Sequence, residues 1–286
     1  MSHHCGASSR SRTVTTPEPQ YFSCVIPSGI ASATDFGPTD PAKPEYPGKR
    51  PGHSFVQDDR DEVLTLTPTA EGSWSVWDGF RTIALDAWLA AQGASLMQDR
   101  IPVLSYGSNA CPFKLLDLHG RRPTPLPGPV PMTRCTVTGL AAAWCKGTRS
   151  TDGLVPATLI QAAGTEEHFL WWVSADQWDA LDECEGRGSR YYSLVELDVS
   201  TAEDAHGAGR PGLRSEGGRD PGPVFAYVGM HERRLPMAGA DGGPLLVRNL
   251  HQDKAAAHLA TRPVIAVTAG LGKVVPYGTN PTPGSR

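Results

Sequence analysis

One glutamate lies where acid–base chemistry is possible, at the end of a short amphipathic segment. Within Ser174–Gly186 (SADQWDALDECEG), Trp178 and Leu181 mark one face of a predicted helix, and Glu185 follows seven residues after Trp178 on that face. Burial disfavours a charged carboxyl group, and the negative end of the helix dipole acts in the same direction. The spacing therefore predicts a raised pKa for Glu185, which suits a general acid or base. The alternative is an ordinary solvated glutamate in a last helical turn.

A second segment, Tyr106-Gly107-Ser108-Asn109, has the composition of a loop that binds anions. Glycine can adopt positive φ angles, and asparagine tolerates left-handed backbone geometry. Successive backbone N–H groups in such a turn form a concave anion site, and a helix that begins near Pro112 would reinforce it. The loop is therefore a candidate for holding a negatively charged substrate oxygen. The alternative is a plain turn from a strand into a helix.

Both segments belong to a series of short elements that begins at residue 101. Ser174 and Gln177 form a capping box, which predicts where the helix that carries Glu185 begins. Apolar runs bounded by turn residues predict strands at 101–105, 133–145, 154–162, 168–174, 191–199 and 224–230. Helical spacing predicts helices at 112–120, 174–185 and 244–261. Strands with interspersed helices indicate an α+β fold, with helices packed against a curled sheet.

The residues before this core are expected to be less regular. Residues 1–52 contain eight prolines and many Ser, Thr and Gly residues, which predicts an unfolded or loosely draped arm. Residues 53–97 are expected to form an ancillary segment with one amphipathic helix that ends at Gly93. The apolar face of that helix consists of Trp77, Phe80, Ala84, Trp88 and Ala91. We expect this helix to pack on the core or to cover the mouth of its pocket.

The core itself is expected to span residues 98–278. A tract rich in Gly, Arg and Pro at 202–223 indicates a surface loop inserted between two strands. A helix is expected near the C-terminus, and residues 279–286 are expected to be a frayed tail.

Composition excludes several classes of function. The 286 residues include 26 Lys and Arg against 30 Asp and Glu, so no basic surface for nucleic acid is predicted. No stretch approaches the roughly 18 apolar residues of a membrane span, and the first residues contain no apolar run typical of a signal peptide. A cytoplasmic protein without a membrane partner is therefore expected. The six cysteines contain no C-x-x-C pair, which favours free thiols.

Five segments together resemble the γ-glutamylcyclotransferase-like family. Tyr106–Asn109 resembles the Y-G-S-N signature of that family, and Leu181-Asp182-x-x-Glu185-Gly186 resembles its glutamate motif. The other similar segments, in the same order as in the family, are Val155–Ile160 (VPATLI), Tyr191-Tyr192 and Phe225–Val228 (FAYV). The resemblance spans roughly residues 101–230, under half of the chain, and it departs from the family's pattern at Ala110-Cys111-Pro112, in the 202–223 insertion and in both extensions.

The resemblance implies a small mixed β-barrel with flanking helices and a pocket between the Y-G-S-N loop and the glutamate. It implies that Glu185 is the catalytic acid–base residue. The residues implied to hold the γ-glutamyl group or to line the pocket are Tyr106, Gly107, Ser108, Asn109, Tyr192 and Tyr227. The implied enzyme is an acyltransferase- or lyase-type cyclotransferase that releases 5-oxoproline and a free amine from a small γ-glutamyl substrate, with no metal and no cofactor.

Two other functions stay open at this point. The same fold could serve as a non-catalytic module that binds a small metabolite or a peptide, or as a hydrolase that uses water as its nucleophile. A general acid or base must lie within about hydrogen-bond distance of the group whose proton it transfers. These functions are therefore distinguished by whether Glu185 faces the Gly107–Asn109 loop across a closed cavity. The identity of the leaving amine and the oligomeric state are left open.

Overall fold

The computed structural model describes residues 23–24, 29–42, 45–120, 123–201, 210–265 and 270–283. Within them the fold is α+β. The strands are β1 (Ser23–Cys24), β2 (Ile30–Ser32), β3 (Arg50–Pro51), β4 (Phe55–Gln57), β5 (Glu62–Pro68), β6 (Trp74–Trp77), β7 (Thr82–Ala84), β8 (Ile101–Ser105), β9 (Val130–Trp144), β10 (Ala157–Val173), β11 (Tyr192–Leu197), β12 (Gly212–Ser215), β13 (Phe225–Gly229) and β14 (Gly272–Val274). The α-helices are α1 (Leu85–Ala91), α2 (Pro112–Gly120), α3 (Trp178–Glu185) and α4 (Gln252–His258).

Twelve strands form one mixed sheet that does not close. Its hydrogen-bonded order is β14-β11-β13-β8-β10-β9-β4-β5-β6-β7, with β12 beside β9 and β2 beside β5. β13 and β8 pair in parallel, whereas β8 and β9 each pair antiparallel with β10, which lies between them. The small barrel expected from the resemblance is wrong for the described residues. Closure would need the end strands to pair, but β4 to β7 continue the sheet beyond β9.

The central strands are buried on both faces. Val103 of β8 and Phe225 of β13 belong to one apolar core, which also contains side chains of α2 and α3. Their neighbours Leu104 and Ala226 belong to a second core on the opposite face. Successive side chains of a strand point to opposite faces. This places α2 and α3, the helices on either side of the candidate site, on the same side of the sheet.

Several predicted elements are confirmed. β8 and α2 have the predicted bounds, and β11 and β13 lie within the strands predicted at 191–199 and 224–230. The strands predicted separately at 154–162 and 168–174 are one strand, β10, paired along its length with β9. Its register shifts between Gln161 and Thr165 around Gly164, whose φ is 104°. A bulge, rather than a turn, interrupts the apolar pattern there.

The N-terminal arm differs from the expectation wherever it is described. Residues 1–22, 25–28 and 43–44 lie outside the described residues. Phe36, Tyr46 and Arg50 are 2%, 9% and 6% exposed, so this part of the segment packs on the core instead of draping over it. Between these packed side chains, Pro41 lies in a turn and Pro47 in a bend. A high proline content therefore does not indicate disorder in this part of the chain.

The segment 53–97 contains strands β4 to β7 as well as a helix. Of the predicted helix over 77–91, only the second half is right: Trp77 ends β6, and Phe80 is 92% exposed in the turn to β7. The Asp78 carboxylate accepts hydrogen bonds from two backbone N–H groups of that turn. This local turn overrides the helical spacing of the aromatic residues. α1 ends as predicted near Gly93, whose φ is 67°.

Two expectations for the C-terminal half also change. Residues 202–209 lie outside the described residues, but Gly212–Ser215, predicted as loop, forms β12 and pairs with β9. The tail is held in place beyond residue 279, because the Arg187 guanidinium binds the Thr279 carbonyl and the Asn280 side chain. Residues 284–286 lie outside the described residues. The domain boundaries at 52 and 97 stay predictions.

The described helices and cysteines bear on two further expectations, the absence of a membrane span and the presence of free thiols. No described helix is long and apolar enough to cross a membrane. Of the cysteines whose side chains are described, Cys111, Cys135 and Cys145 are free thiols. Cys5 and the side chain of Cys24 lie outside the described part of the chain.

Candidate active site

α3 carries Glu185 to the rim of the sheet. Trp178 and Leu181 are 3% and 0% exposed, which confirms the predicted inward face of this helix. Gln177 Oε1 accepts a hydrogen bond from the Ser174 N–H at 3.3 Å, as expected of the capping box. Glu185 is the last helical residue, because Gly186 adopts the left-handed conformation with φ of 62°. A partly buried carboxyl group therefore lies at a helix C-terminus, as the spacing predicts.

The loop that faces it follows directly from β8. Ser108–Ala110 forms a short 3-10 turn before α2, and Gly107 has φ of −103° and ψ of −150°. The left-handed backbone expected at Gly107 and Asn109 is therefore wrong. Glycine is needed at position 107 for a different reason. A Cβ atom there would lie 2.7 Å from the hydroxyl oxygen of Tyr46, too close for two atoms that are not bonded.

The loop and the helix end meet across one cavity of about 550 Å³. The Asn109 side-chain amide donates a hydrogen bond from Nδ2 to Glu185 Oε1 at 2.6 Å. Every residue that the sequence proposed for the site lines this cavity: Tyr106, Gly107, Ser108, Asn109, Glu185, Tyr192 and Tyr227. The structure thus brings together residues from four separate elements of the chain. Their roles in a reaction are a separate question.

The loop offers donors to the cavity. Within the described residues, the backbone N–H groups of Gly107, Ser108 and Asn109 donate to no protein acceptor. The three residues are half-buried and line the cavity, where water or a ligand can accept from these groups. Together with the Asn109 side chain, these groups form a set of hydrogen-bond donors next to a carboxyl group, which is the arrangement needed to bind an anionic oxygen.

Opposing effects act on the pKa of Glu185. Burial raises the pKa above its ordinary value of 4.5 and outweighs the hydrogen bond from Asn109 and the positive charges of Lys114, Arg149 and Arg234, all of which lower it. A raised pKa brings the carboxyl group closer to the range in which it can both accept and return a proton near neutral pH. The three cations also make the cavity suitable for a ligand that carries a carboxylate.

The tyrosines of the site form its walls. Burial raises the pKa values of Tyr106, Tyr192 and Tyr227 well above the ordinary value, so all three stay protonated. Each hydroxyl also donates to the protein: Tyr106 to the Tyr227 carbonyl, Tyr192 to the Ala157 carbonyl at 2.9 Å, and Tyr227 to the Asp182 carboxylate. Because each hydroxyl proton is already donated to a protein acceptor, we assign these tyrosines to the walls of the cavity and not to proton transfer.

Sequence reasoning missed several residues of the cavity, chiefly Tyr46, Lys114, Arg149 and Arg234. Tyr46 belongs to the segment predicted as a draped arm, yet its hydroxyl accepts the Ala157 N–H at 3.0 Å and its ring lies 5.3 Å from the Arg149 guanidinium. Arg149 in turn donates to Ser108 Oγ at 3.0 Å. In the sequence, the only sign of these residues is that Tyr46 and Arg149 are an isolated tyrosine and an isolated basic residue within segments rich in turn-forming residues. α1, the observed part of the helix that was expected to pack on the core or to cover the pocket mouth, has no residue in the lining of this cavity.

No family model and no curated protein matches this chain. Among solved structures, it is similar to YkqA from Bacillus subtilis, with 14% identity over 75% of this chain and 73% of that one and a TM-score of 0.32. A γ-glutamyl cyclotransferase of known structure has 17% identity over 62% of this chain and 94% of that one, with a TM-score of 0.33. A yeast γ-glutamyl cyclotransferase specific to glutathione has 14% identity over 59% of this chain and 90% of that one, with a TM-score of 0.28.

Proposed function

We propose that this chain is an enzyme of the γ-glutamylcyclotransferase type, which converts a small γ-glutamyl amine or γ-glutamyl amino acid into 5-oxoproline and the free amine. The observation that carries the proposal is the contact between Asn109 and Glu185 inside one cavity. It joins the two segments, Tyr106–Asn109 and Leu181–Gly186, whose sequences resemble the family's signatures. The carboxyl group with a raised pKa lines the same cavity as the loop residues whose backbone N–H groups have no acceptor among the described residues.

In the proposed reaction, the nucleophile and the electrophile belong to the same molecule. The cavity holds the γ-glutamyl group folded, with its α-amine beside its γ-carbonyl carbon. This geometry makes ring closure a unimolecular step and removes much of its entropic barrier. The protein then needs to supply only proton transfer and charge stabilisation, and the Glu185 carboxylate and the Gly107–Asn109 loop are placed to supply them.

Each atom is accounted for within the substrate and Glu185. The carboxylate takes a proton from the α-ammonium group, and the freed amine attacks the γ-carbonyl carbon to form the ring C–N bond. The N–H groups of the Gly107–Asn109 loop stabilise the oxyanion that forms. Protonated Glu185 returns its proton to the departing nitrogen as the original amide C–N bond breaks. The ring nitrogen then gives its second proton to the same carboxylate, which passes it to the free amine, so that the amine leaves as an ammonium ion. The products are 5-oxoproline and the amine, and no water is consumed.

Cavity size and charge support a small substrate that carries a carboxylate group. A volume of about 550 Å³ falls in the range that holds small molecules. Lys114, Arg149 and Arg234 are close enough to Glu185 to lower its pKa, and each is placed to attract the α-carboxylate that every γ-glutamyl compound carries.

The test is a direct assay of the purified full chain with γ-glutamyl amines, γ-glutamyl amino acids and glutathione. Release of 5-oxoproline together with an equimolar amount of free amine supports the proposal. Release of glutamate instead would identify a hydrolase. A compound that raises the melting temperature without turnover would identify a binding module.

A further inference from the structure

The buried side chain of Arg50 binds the loop Gly107–Asn109, the candidate oxyanion site. Arg50 is 6% exposed, and its Nη2 atom donates to the backbone carbonyls of Tyr106 at 3.0 Å and Gly107 at 2.7 Å. It lies in the N-terminal segment, more than fifty residues before the loop and outside the region that resembles any family motif. Two consecutive carbonyl groups of the loop are thereby held by one charged side chain.

The direction of the carbonyl groups determines the direction of the N–H groups. A trans peptide group is planar, so the C=O of one residue and the N–H of the next point in opposite directions. Because the carbonyls of Tyr106 and Gly107 point towards Arg50, the N–H groups of Gly107 and Ser108 point away from it. Both residues line the cavity, and both N–H groups lack a protein acceptor in the described part of the chain.

We propose that Arg50 is a positioning residue for catalysis: by binding these two carbonyls, it aims the N–H groups of Gly107 and Ser108 at the oxyanion. The inference rests on the proposed function for its catalytic meaning. A hydrogen bond to a carbonyl also polarises the peptide group. A guanidinium on the carbonyl side therefore makes the N–H on the other side a stronger donor.

The chain provides a matched control for a purely structural role. Arg100 is also buried, at 4% exposure, and donates to the backbone carbonyls of Ser95, Pro129 and Trp172 at 3.0 to 3.3 Å. Neither Arg100 nor any of these three partners lines the cavity. Loss of Arg100 therefore removes a buried guanidinium from backbone carbonyls without touching the site.

The experiment compares Arg50→Met and Arg50→Lys with Arg100→Met and Arg100→Lys in the full chain. An oxyanion donor acts in the transition state, and loss of one typically lowers kcat by at least about 10²-fold. We expect Arg50→Met to lower kcat, per folded molecule, by about that factor while KM changes little. Arg50→Lys should recover part of the loss, because an ammonium group can still donate to the carbonyls. The Arg100 variants should lose stability but keep kcat.

A second measurement does not depend on activity. Backbone ¹⁵N relaxation should give rigid order parameters, about 0.85, for Gly107 and Ser108 in the wild type and in the Arg100 variants. In Arg50→Lys, which keeps a charge for folding, they should decrease, and in Arg50→Met they should decrease further. Unchanged order parameters and unchanged kcat in folded Arg50 variants would overturn the inference, as would an effect on KM alone. If the wild type releases no 5-oxoproline, the proposed function fails, and the relaxation data still decide whether Arg50 orders the loop.

Discussion

The Asn109 side chain donates a hydrogen bond to the Glu185 carboxylate at 2.6 Å across 76 residues of sequence. This contact joins the loop after β8 to the end of α3, and these two elements pack on the same side of the sheet. It also holds one carboxylate oxygen of Glu185 in place. Glu185 therefore has a defined orientation, a raised pKa and a position in the same cavity as loop N–H groups that have no acceptor in the described part of the chain. These features together suit it to proton transfer.

Replacement of Asn109 tests how this contact controls the carboxyl group. A hydrogen bond to the charged form lowers a pKa, so Asn109→Ala should raise the pKa of Glu185 further. The proposed base works as a carboxylate, and activity is lost as the pH falls through its pKa. The acid limb of kcat/KM should lie above pH 4.5 in the wild type and move to higher pH in the variant. A limb that stays in place, or moves to lower pH, would contradict this role.

Lys114 provides a weaker test of the same carboxyl group. Its positive charge lowers the pKa of Glu185, although less than the hydrogen bond from Asn109 does. Lys114→Met should therefore move the acid limb of kcat/KM to higher pH by less than Asn109→Ala does. Lys254→Met, a change at an exposed lysine of α4 remote from the cavity, is the control and should leave the limb in place. A larger shift for Lys114→Met than for Asn109→Ala would contradict the order of these effects.

The close approach of Tyr46 to Gly107 predicts that their substitutions are coupled. Gly107→Ala would place a methyl group 2.7 Å from the Tyr46 hydroxyl oxygen but 3.7 Å from the ring carbon that carries it. Tyr46→Phe removes the oxygen and leaves an ordinary contact. Gly107→Ala should therefore destabilise the wild type more than it destabilises Tyr46→Phe, with a coupling energy of about 0.5–3 kcal/mol in urea unfolding. Additive changes in the free energy of unfolding would show that the two groups do not meet.

Arg187 is predicted to hold the C-terminal segment on the core. Its buried guanidinium pairs with Asp182 at 2.9 Å and donates to the carbonyls of Val275, Pro276 and Thr279. Breaking a buried ion pair leaves an uncompensated charge, so Arg187→Met should cost about 3–5 kcal/mol of unfolding free energy. Trypsin should also cleave the variant faster at Lys273, an exposed residue of β14, because the C-terminal segment is no longer held on the core.

Arg210→Met is the control for Arg187. Its ion pair with Asp198 is exposed, at 59% and 52% of the two side chains, and such pairs contribute up to about 1 kcal/mol. Similar losses of stability in the two variants would show that Arg187 does not act as a buried clamp.

Local patterns predicted the elements that carry the site. The capping box at Ser174, the apolar face of α3 and the glycine stop at Gly186 all depend on residues within one or two helical turns. The same holds for β8 and α2, which lie on either side of the loop. Such signals need no knowledge of the rest of the chain, so Glu185 could be identified as the end of a buried face.

The remaining part of the site depends on distant contacts that no local pattern encodes. Tyr46 reaches Ala157 across 111 residues, and Arg50 reaches the loop carbonyls across 56 and 57. Composition predicted disorder for the segment that contains Tyr46 and Arg50. That prediction was wrong there, because prolines and glycines form turns in packed and unpacked chains alike. At Trp77 and Phe80, the turn around Asp78 overrode an apparent helical period.

The most direct test of the central claim is the release of 5-oxoproline by Glu185→Gln, measured with the best γ-glutamyl substrate of the wild type. Asp179→Asn is the matched control, because Asp179 is an exposed carboxylate on the same helix. We predict that Glu185→Gln keeps the wild-type circular dichroism spectrum and loses turnover by at least about 10²-fold, whereas Asp179→Asn keeps it. Full turnover by folded Glu185→Gln would contradict the assignment of Glu185 as the acid–base residue.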